Sequence, residues 1–317
     1  MHQTNDNINL TINTEAQDTS EFDFPGLTIG IAEYLEGPTG CTVFCFEGGA
    51  ATAVDVRGGN VGRSGEYDFN HAICFAGGSL LGLEATIGCQ RELFAKQEYA
   101  VGSDVGLPLV SGAIIYDYGV RDNTVFPDVA LGRAALSGAK PGVFALGAQG
   151  AGRSATCGKG LLAPWVGESS GQGCAVGTYG DTRIAVFTVV NALGAIHDRN
   201  GMVVRGHLHS ETGKRVGIRD AIDPDRFTAA GGTPGENTTL TLVVTNLQMA
   251  SHTLTQLARQ VHGSMSRSIQ PFNTHADGDI LFAVTTNTVT NSKLNSYVLN
   301  HLASELAWDA VLSSFGH

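Results

Sequence analysis

A hydroxyl attacks an amide carbonyl only if something takes its proton, and a threonine at a chain's N-terminus carries that base itself, in its own α-amine. One stretch of this sequence could generate such a residue. Gly235-Glu236-Asn237-Thr238-Thr239 closes a Gly/Pro/Thr-rich loop and runs at once into the alternating segment Leu240-Thr241-Leu242-Val243-Val244-Thr245. Cutting the Asn237–Thr238 bond would leave Thr238 heading a strand, with hydroxyl and free amine side by side. An α-amine with the usual pKa of about 7.7 to 8.0 already lies near the working range of a general base. Before the cut that nitrogen is an amide, so the intact chain is expected to be inactive. Attack by Thr238 Oγ1 on the Asn237 carbonyl, an N-to-O acyl shift and hydrolysis would give pieces of 237 and 80 residues (317 − 237 = 80). Taken by themselves, the residues read more simply as an Asn-Thr turn leading into a strand.

Other polar side chains stand where chemistry could be done. Asn191 ends the strand-like run Arg183 to Val190; a side-chain amide there can aim a donor at an oxyanion, or merely cap the strand. Residues 147–160 (GAQGAGRSATCGKG) carry one lysine, Lys159, and form either a flexible loop or a backbone packed tightly around a site. Asp277-Gly278-Asp279 precedes a strand and reads as a polar turn or weak cation site, without the oxygen-rich spacing of a calcium loop. His207 and His209 form an H-x-H pair on an expected strand; with no third ligand evident they read as surface or interface residues, and no metal site is expected. Strand, Gly77-Gly78-Ser79, then helix invites a phosphate-loop reading, but neither glycine fingerprint of such loops is present, and close helix-on-strand packing explains the glycines about as well. The six cysteines lack C-x-x-C spacing and read as reduced, buried thiols.

These positions need elements to hold them. From Phe24 the chain is a series of short β-like segments, among them Thr42–Phe46 and Thr52–Val56, each ended by glycines. A helix is expected from Leu80 to about Ala95 with Leu80, Leu83, Ile87 and Leu93 on or near one face, and another from Val129 to Leu136. Leu109–Asp117, containing Tyr116, reads as a buried strand. Residues from about Glu211 to Glu236 read as an exposed linker. Leu254, Leu257, Ala258, Val261 and Met265 mark a helix that packs on a sheet, with Ser251 or Thr253 as cap. Ile280–Val284 reads as a strand, and a helix from about Asn295 to Leu312, carrying Val298, Leu302 and Leu306 at four-residue spacing, closes the chain. Residues 1–22 form a polar, loosely ordered leader, and 23–317 a single domain.

Composition narrows the partners. With 42% hydrophobic residues the chain can bury a sizeable core. A formal net charge of −11 argues against nucleic acid or an anionic membrane as partner. No apolar stretch approaches the length that spans a bilayer. No Lys or Arg precedes Arg57, so the start lacks the basic flank of a secretory signal, and a cytoplasmic protein is expected.

Several separated motifs then coincide in order. Ala53-Val54-Asp55-Val56-Arg57-Gly58-Gly59, Ala76-Gly77-Gly78-Ser79, Ile115-Tyr116-Asp117, Asn237-Thr238-Thr239-Leu240, and Asp277-Gly278-Asp279 with Phe282-Ala283 resemble the self-processing aminopeptidase family of N-terminal-nucleophile hydrolases, which includes D-aminopeptidase and β-peptidyl aminopeptidases. Phe22-Asp23-Phe24-Pro25-Gly26, Glu36-Gly37-Pro38-Thr39-Gly40 and the stretch Tyr67 to Cys74 are most similar to its branch of endo-type hydrolases of 6-aminohexanoate (nylon-6) oligomers. The similarity runs from about Phe22 to the C-terminus.

The resemblance implies an α/β fold, a four-layer αββα sandwich of the N-terminal-nucleophile type, self-cleaved into interlocked chains 1–237 and 238–317. It implies a linear amide oligomer as substrate, no cofactor, and a homo-oligomer, by its relatives a tetramer. It assigns Thr238 as nucleophile and Asn191 as oxyanion donor. Lys159 becomes an ammonium that keeps the threonine amine a free base. Asp277 and Asp279 become paired acids that hydrogen-bond that amine and the lysine, and Tyr116 a residue of the substrate cleft. Two positions depart from the pattern: Glu236 replaces the usual glycine before Asn-Thr, and Asn273 stands where relatives often have histidine before Thr274. An aminopeptidase or amidase acting on small peptides, D-amino-acid amides or β-peptides is the alternative within the family; an unprocessed, noncatalytic binding protein is the alternative outside it.

Overall fold

The structure is a computed structural model that describes residues 2–102, 105–221, 237–291 and 293–316. Eight strands and four helices carry the architecture. The strands are β1 (Leu27–Tyr34), β2 (Thr39–Val56), β3 (Phe69–Ala76), β4 (Val110–Ile114), β5 (Gln172–Tyr179), β6 (Thr182–Asn191), β7 (Thr238–Leu247) and β8 (Ile280–Val289). The helices are α1 (Glu84–Lys96), α2 (Val129–Ser137), α3 (Ser251–Ser264) and α4 (Ser296–Leu312).

Alternation in the strands sorts side chains into layers, because successive residues point to opposite faces. Leu240, Leu242 and Val244 of β7 join Phe282 and Val284 of β8, Phe187 of β6, Phe44 of β2 and Phe75 of β3 in a central cluster. The intervening Val243 of β7 and Leu281 and Ala283 of β8 point the other way, under α3 and α4. Cys41 and Val43 of β2 and Ala72, Cys74 and Ala76 of β3 point under α1 and α2. Three apolar interfaces separate four layers, and the molecule is an αββα sandwich. Each fully buried Leu, Ile or Phe contributes roughly 1.5–3 kcal/mol.

β2 joins the two sheets. Its first half pairs with β1 and β3, and Ala51–Val56 pairs antiparallel with β8. Two strands were expected here. The structure has one of 18 residues, bent where Gly48 and Gly49 take φ of 73° and 80°, a region side chains avoid, and where the pairing register shifts.

α1 also departs from expectation. Leu80 and Ile87, expected on the packed face, are 66% and 48% exposed, whereas Ala85, Thr86, Gly88 and Cys89 are buried. The cause is close approach: a Cβ on Gly88 would lie 2.3 Å from the Val129 carbonyl, and one on Gly132 would lie 2.0 Å from that of Ala85, so small residues form the α1–α2 seam. On α4, Leu299, Ala303 and Leu306 are buried and Val298 is half exposed. Its cap is Asn295, whose side chain accepts from Val298 N, whereas α3 has no side-chain cap.

Residues 2–22 are not loose. Asn5 exchanges hydrogen bonds with Phe126 through both ends of its amide, Ile12–Asn13 pairs with β1, and Thr19–Glu21 pairs with Val143–Ala145. The expected linker lies largely outside the described residues, as does Glu236. Among the described residues no helix is long and apolar enough to cross a membrane.

Candidate active site

β7 runs through the middle of its sheet, antiparallel to β6 and parallel to β8. Its first residue, Thr238, stands opposite Asn191, the last residue of β6, while Asn237 bridges to Asp277 just before β8. Asn237 and Thr238 are both buried, 1% and 3% exposed. Thr238 Oγ1 donates to the carbonyl oxygen of Asn237 at 2.5 Å, and the same oxygen accepts from Gly278 N at 2.7 Å. The hydroxyl therefore lies against the carbonyl it would attack, with a backbone N–H already on the oxygen that would become negative. A Cβ at position 278 would fall 2.6 Å from Thr238 Oγ1, so only glycine fits there.

Asn191 and Lys159 form the next group. Lys159 Nζ donates to Asn191 Oδ1 at 3.0 Å and to its main-chain oxygen at 3.2 Å. Asn191 Oδ1 also accepts from Thr156 N, and Nδ2 donates to the Tyr116 carbonyl at 2.8 Å. The amide is thereby fixed in one orientation. The glycine-rich segment 147–160 is a tight lining, not a free loop: Gly150 N donates to the buried Glu33, and Ala151 N to Thr42 Oγ1. Burial raises the Glu33 pKa, opposed by that N–H and by Arg153.

Asp277 and Asp279 are 1% and 0% exposed, and main-chain donors hold both. Asp279 accepts from Thr239 N at 2.6 Å and Asn273 N at 3.0 Å; Asp277 accepts from Thr274 N at 2.9 Å and Thr274 Oγ1 at 2.6 Å. Burial, with the neighbouring Asp277 carboxylate, pushes Asp279 up to about 8. The two acids ride on a backbone that residues 57–60 embrace: Gly58 N reaches the Asp279 carbonyl and Asn60 N that of Asp277. A Cβ on Gly58 would sit 2.2 Å from Asp279 N, which gives the Arg57-Gly58-Gly59 motif its physical reason.

A cavity of about 270 Å³ opens above this group, lined by Tyr116, Val120, Thr156, Lys159 and Asn191 among others. Thr238, 3% exposed, lies beneath it and is not among its lining residues. Its lining acid, Asp117, is occupied. Arg121 pairs with it at 2.6 Å, both side chains being 1% exposed, and Thr39 Oγ1 and Gly78 N also donate to it. A Cβ on Gly77 would lie 2.3 Å from Asp117 Oδ2, so Gly77-Gly78 close the packing around this ion pair and do not cradle a phosphate.

Structure and sequence differ at several places. His207 is fully buried, because φ of +47° turns it inward, whereas His209 is partly exposed and packs edge-on against Trp165. Gly278, Thr274, residues 57–60 and the Asp117–Arg121 pair were not singled out by chemistry. Gly278 was hidden because a residue without a side chain signals nothing until its neighbours are known. Gly167-Glu168-Ser169-Ser170-Gly171 fits the G-x-S-x-G pattern of serine hydrolases, overlooked in the sequence. Ser169 lies there in a two-residue strand, not on a strand-to-helix elbow.

Comparison with known proteins fits this geometry. The "Putative NylC-analogous protein" of Agromyces sp. is 48% identical over 92% of this chain and 98% of that protein. The "6-aminohexanoate-oligomer endohydrolase" of Kocuria sp. is 46% identical over 96% of this chain and 88% of that protein. Among solved structures, the l-aminopeptidase d-ala-esterase/amidase of Ochrobactrum anthropi, described as a variant of the Ntn hydrolase fold, superposes with TM-score 0.66 over 91% of this chain and 83% of its own, at 16% identity. The model of peptidase family S58 matches residues 21–314. This chain belongs to peptidase family S58 and is a hydrolase of amide bonds built on the Ntn-hydrolase fold.

Proposed function

We propose that the chain cuts itself between Asn237 and Thr238 and then hydrolyses internal amide bonds of linear oligomers of the 6-aminohexanoate type. The observation that carries this is Thr238 Oγ1 lying 2.5 Å from the carbonyl oxygen of its own preceding residue, with Gly278 N–H on that oxygen. In self-cleavage Oγ1 bonds to the Asn237 carbonyl carbon, and Gly278 N–H stabilises the oxyanion. The C–N bond then breaks as the Thr238 nitrogen takes the proton that Oγ1 gave up. Water hydrolyses the resulting ester, frees the Asn237 carboxylate and restores the hydroxyl.

The new amine then serves as base for each turnover. It takes the Oγ1 proton as the hydroxyl attacks a substrate carbonyl, and passes it to the departing amine. Water, deprotonated by the same group, releases the acyl chain. Lys159, as an ammonium near that amine, keeps it unprotonated, and Asn191 and Tyr116 border the cleft the substrate enters. Asp277 and Asp279 fix the geometry of the amine.

An internal site of cleavage is favoured over an aminopeptidase's. A substrate's free ammonium is best held by an available carboxylate, and Asp117, the acid of the cavity wall among the described residues, is already paired with Arg121. The relatives named as 6-aminohexanoate-oligomer endohydrolases agree with that choice. A cytoplasmic homo-oligomer, a tetramer by the resemblance, completes the reading, and sedimentation checks the subunit number.

Denaturing electrophoresis, mass spectrometry and N-terminal sequencing of purified protein test the first half. Two chains, the smaller beginning Thr-Thr-Leu-Thr, are expected, and one uncut chain from Thr238→Ala. A single full-length band from the native sequence after prolonged incubation would leave the noncatalytic binding protein instead. Release rates from 6-aminohexanoate oligomers, peptide amides and β-peptides, measured side by side, test the second half.

A further inference from the structure

His207 has no part in the chemistry above, yet it is built into the structure as few histidines are. It is 0% exposed, and both it and Gly206 adopt left-handed φ, +47° and +88°. Its Nδ1 lies 3.3 Å from the Val216 carbonyl, while Nε2 is buried with no partner among the described residues. A left-handed conformation is unfavourable for a side chain of this size, so the surrounding packing holds the residue in place.

The Gly206-His207 main chain, with the ring beside it, presses on the turn that carries Lys159. A Cβ on Gly158 would lie 2.3 Å from His207 N, and one on Gly206 would lie 2.7 Å from Gly158 Cα. Nε2 is 3.7 Å from where a Gly160 Cβ would be. On its other side the turn is fixed by three main-chain bonds, from Gly158 N to the Gly194 carbonyl and from Lys159 N and Gly160 N to that of Leu193, two residues after Asn191. Residues 158–160 are thus clamped between the chain just past Asn191 and the Gly206-His207 main chain, with the ring's Nε2 beside Gly160. Glu168 closes the clamp from behind, accepting from Gly206 N at 2.8 Å and from both Nε and a terminal nitrogen of Arg215.

We propose that His207 is a positioning residue for Lys159: its imidazole, tied to Val216 and set beside Gly160, holds its own main chain against Gly158 and so sets the height at which the ammonium meets Asn191 and the threonine amine. Burial keeps the ring uncharged, with a pKa lowered to about 4, and the nearby buried His197 adds to that effect. Donation to Val216 fixes the proton on Nδ1, which leaves Nε2 as a bare acceptor facing the turn. The inference rests on the reading of Lys159 as the group that lowers the amine's pKa.

The test is steady-state kinetics of fully self-cleaved protein against pH. His207→Ala removes the tie to Val216 and the ring beside Gly160, and a displacement of Lys159 approaching 1 Å lowers kcat by about tenfold or more. KM should change less than kcat, and the acid limb of the kcat/KM profile should move to higher pH, because an amine farther from an ammonium is more basic. His207→Asn keeps a donor for Val216 and tolerates left-handed φ, so it should restore most of both. A folded His207→Ala with native kcat and an unmoved acid limb overturns the proposal. So does a fall in kcat with the limb unmoved, which is what general loosening would give. Where His207→Ala does not fold, His207→Phe, which keeps the bulk and loses the tie, carries the same two readouts. Lys159→Met separates the levels: if it leaves the limb in place, the parent reading of Lys159 fails; if it moves the limb and the His207 variants do not, this inference alone falls.

Discussion

Replacing Gly278 by alanine tests self-cleavage without touching any group that carries a charge or a proton. Gly278 has no left-handed φ, so alanine is allowed by the backbone, and its effect is local and steric. The added Cβ would sit 2.6 Å from Thr238 Oγ1 and 2.9 Å from the Asn60 carbonyl, where ordinary contact begins at 3.4 Å. It is trapped between the two, and the hydroxyl must yield by about 0.8 Å, the difference between 3.4 and 2.6 Å. A misplacement of about 1 Å at a reacting atom can cost a hundredfold, so self-cleavage should slow by roughly 30- to 100-fold, or about 2–3 kcal/mol of barrier. The assay follows conversion of the full-length chain into its two pieces on a denaturing gel, from the moment of purification, with melting temperatures recorded in parallel. Gly278→Ala that folds normally and processes at the native rate would refute the claim that Thr238 attacks from the position seen here. A slowed rate with an equally lowered melting temperature would not support it either, since the argument requires displacement of one oxygen and not loss of the fold.

Three further outcomes are expected. Burial raises Asp279 from 3.8 to about 8, so between those values the folded intact chain holds a proton that the unfolded chain has lost, and stability must fall as pH rises across that window. The melting temperature of Thr238→Ala should therefore drop from pH 5 to 8, and the drop should shrink in Thr238→Ala/Asp279→Asn; parallel curves for the two would sink the assignment. Arg121→Ala strands the Asp117 carboxylate in a site where both partners are 1% exposed. Unfolding by denaturant should show a loss of roughly 3–5 kcal/mol, and a loss under 1 would mean that water or another cation replaces the guanidinium. Gly58→Ala places a Cβ 2.2 Å from Asp279 N, so it should lower both melting temperature and hydrolysis; a native value of either contradicts the tight embrace of residues 57–60.

What the sequence disclosed and what it hid follow from how each signal is encoded. Central strands announce themselves by alternation, and β7 and β8 were legible because Leu240, Leu242 and Val244 and Ile280, Phe282 and Val284 each line one face of a pleat. The double-glycine break at 48–49 read as the end of one strand and the start of another, since a left-handed bend and a true turn use the same residue; only pairing with β3 and β8 at once distinguishes them. Amphipathic periodicity failed on α1, because an apolar stripe marks the buried face only where large residues do the packing, and here the seam is made of Ala85, Gly88 and Gly132. Groups with chemistry in their side chains were nominated by resemblance, and several of them meet: Lys159 donates to Asn191, Asn191 stands opposite Thr238, and Asp279 accepts from Thr239 N. Groups that act through the main chain or through absence of a side chain were not. The Gly278 N–H, the missing Cβ of Gly58 and the turn under Lys159 have meaning only relative to atoms far away in sequence, 41 residues for Gly278 against Asn237 (278 − 237), 49 for Gly158 against His207 (207 − 158) and 221 for Gly58 against Asp279 (279 − 58). A motif can therefore nominate a nucleophile and its acids, but the roughly 1 Å precision that the proposed chemistry demands resides in glycines whose purpose is to let backbones touch.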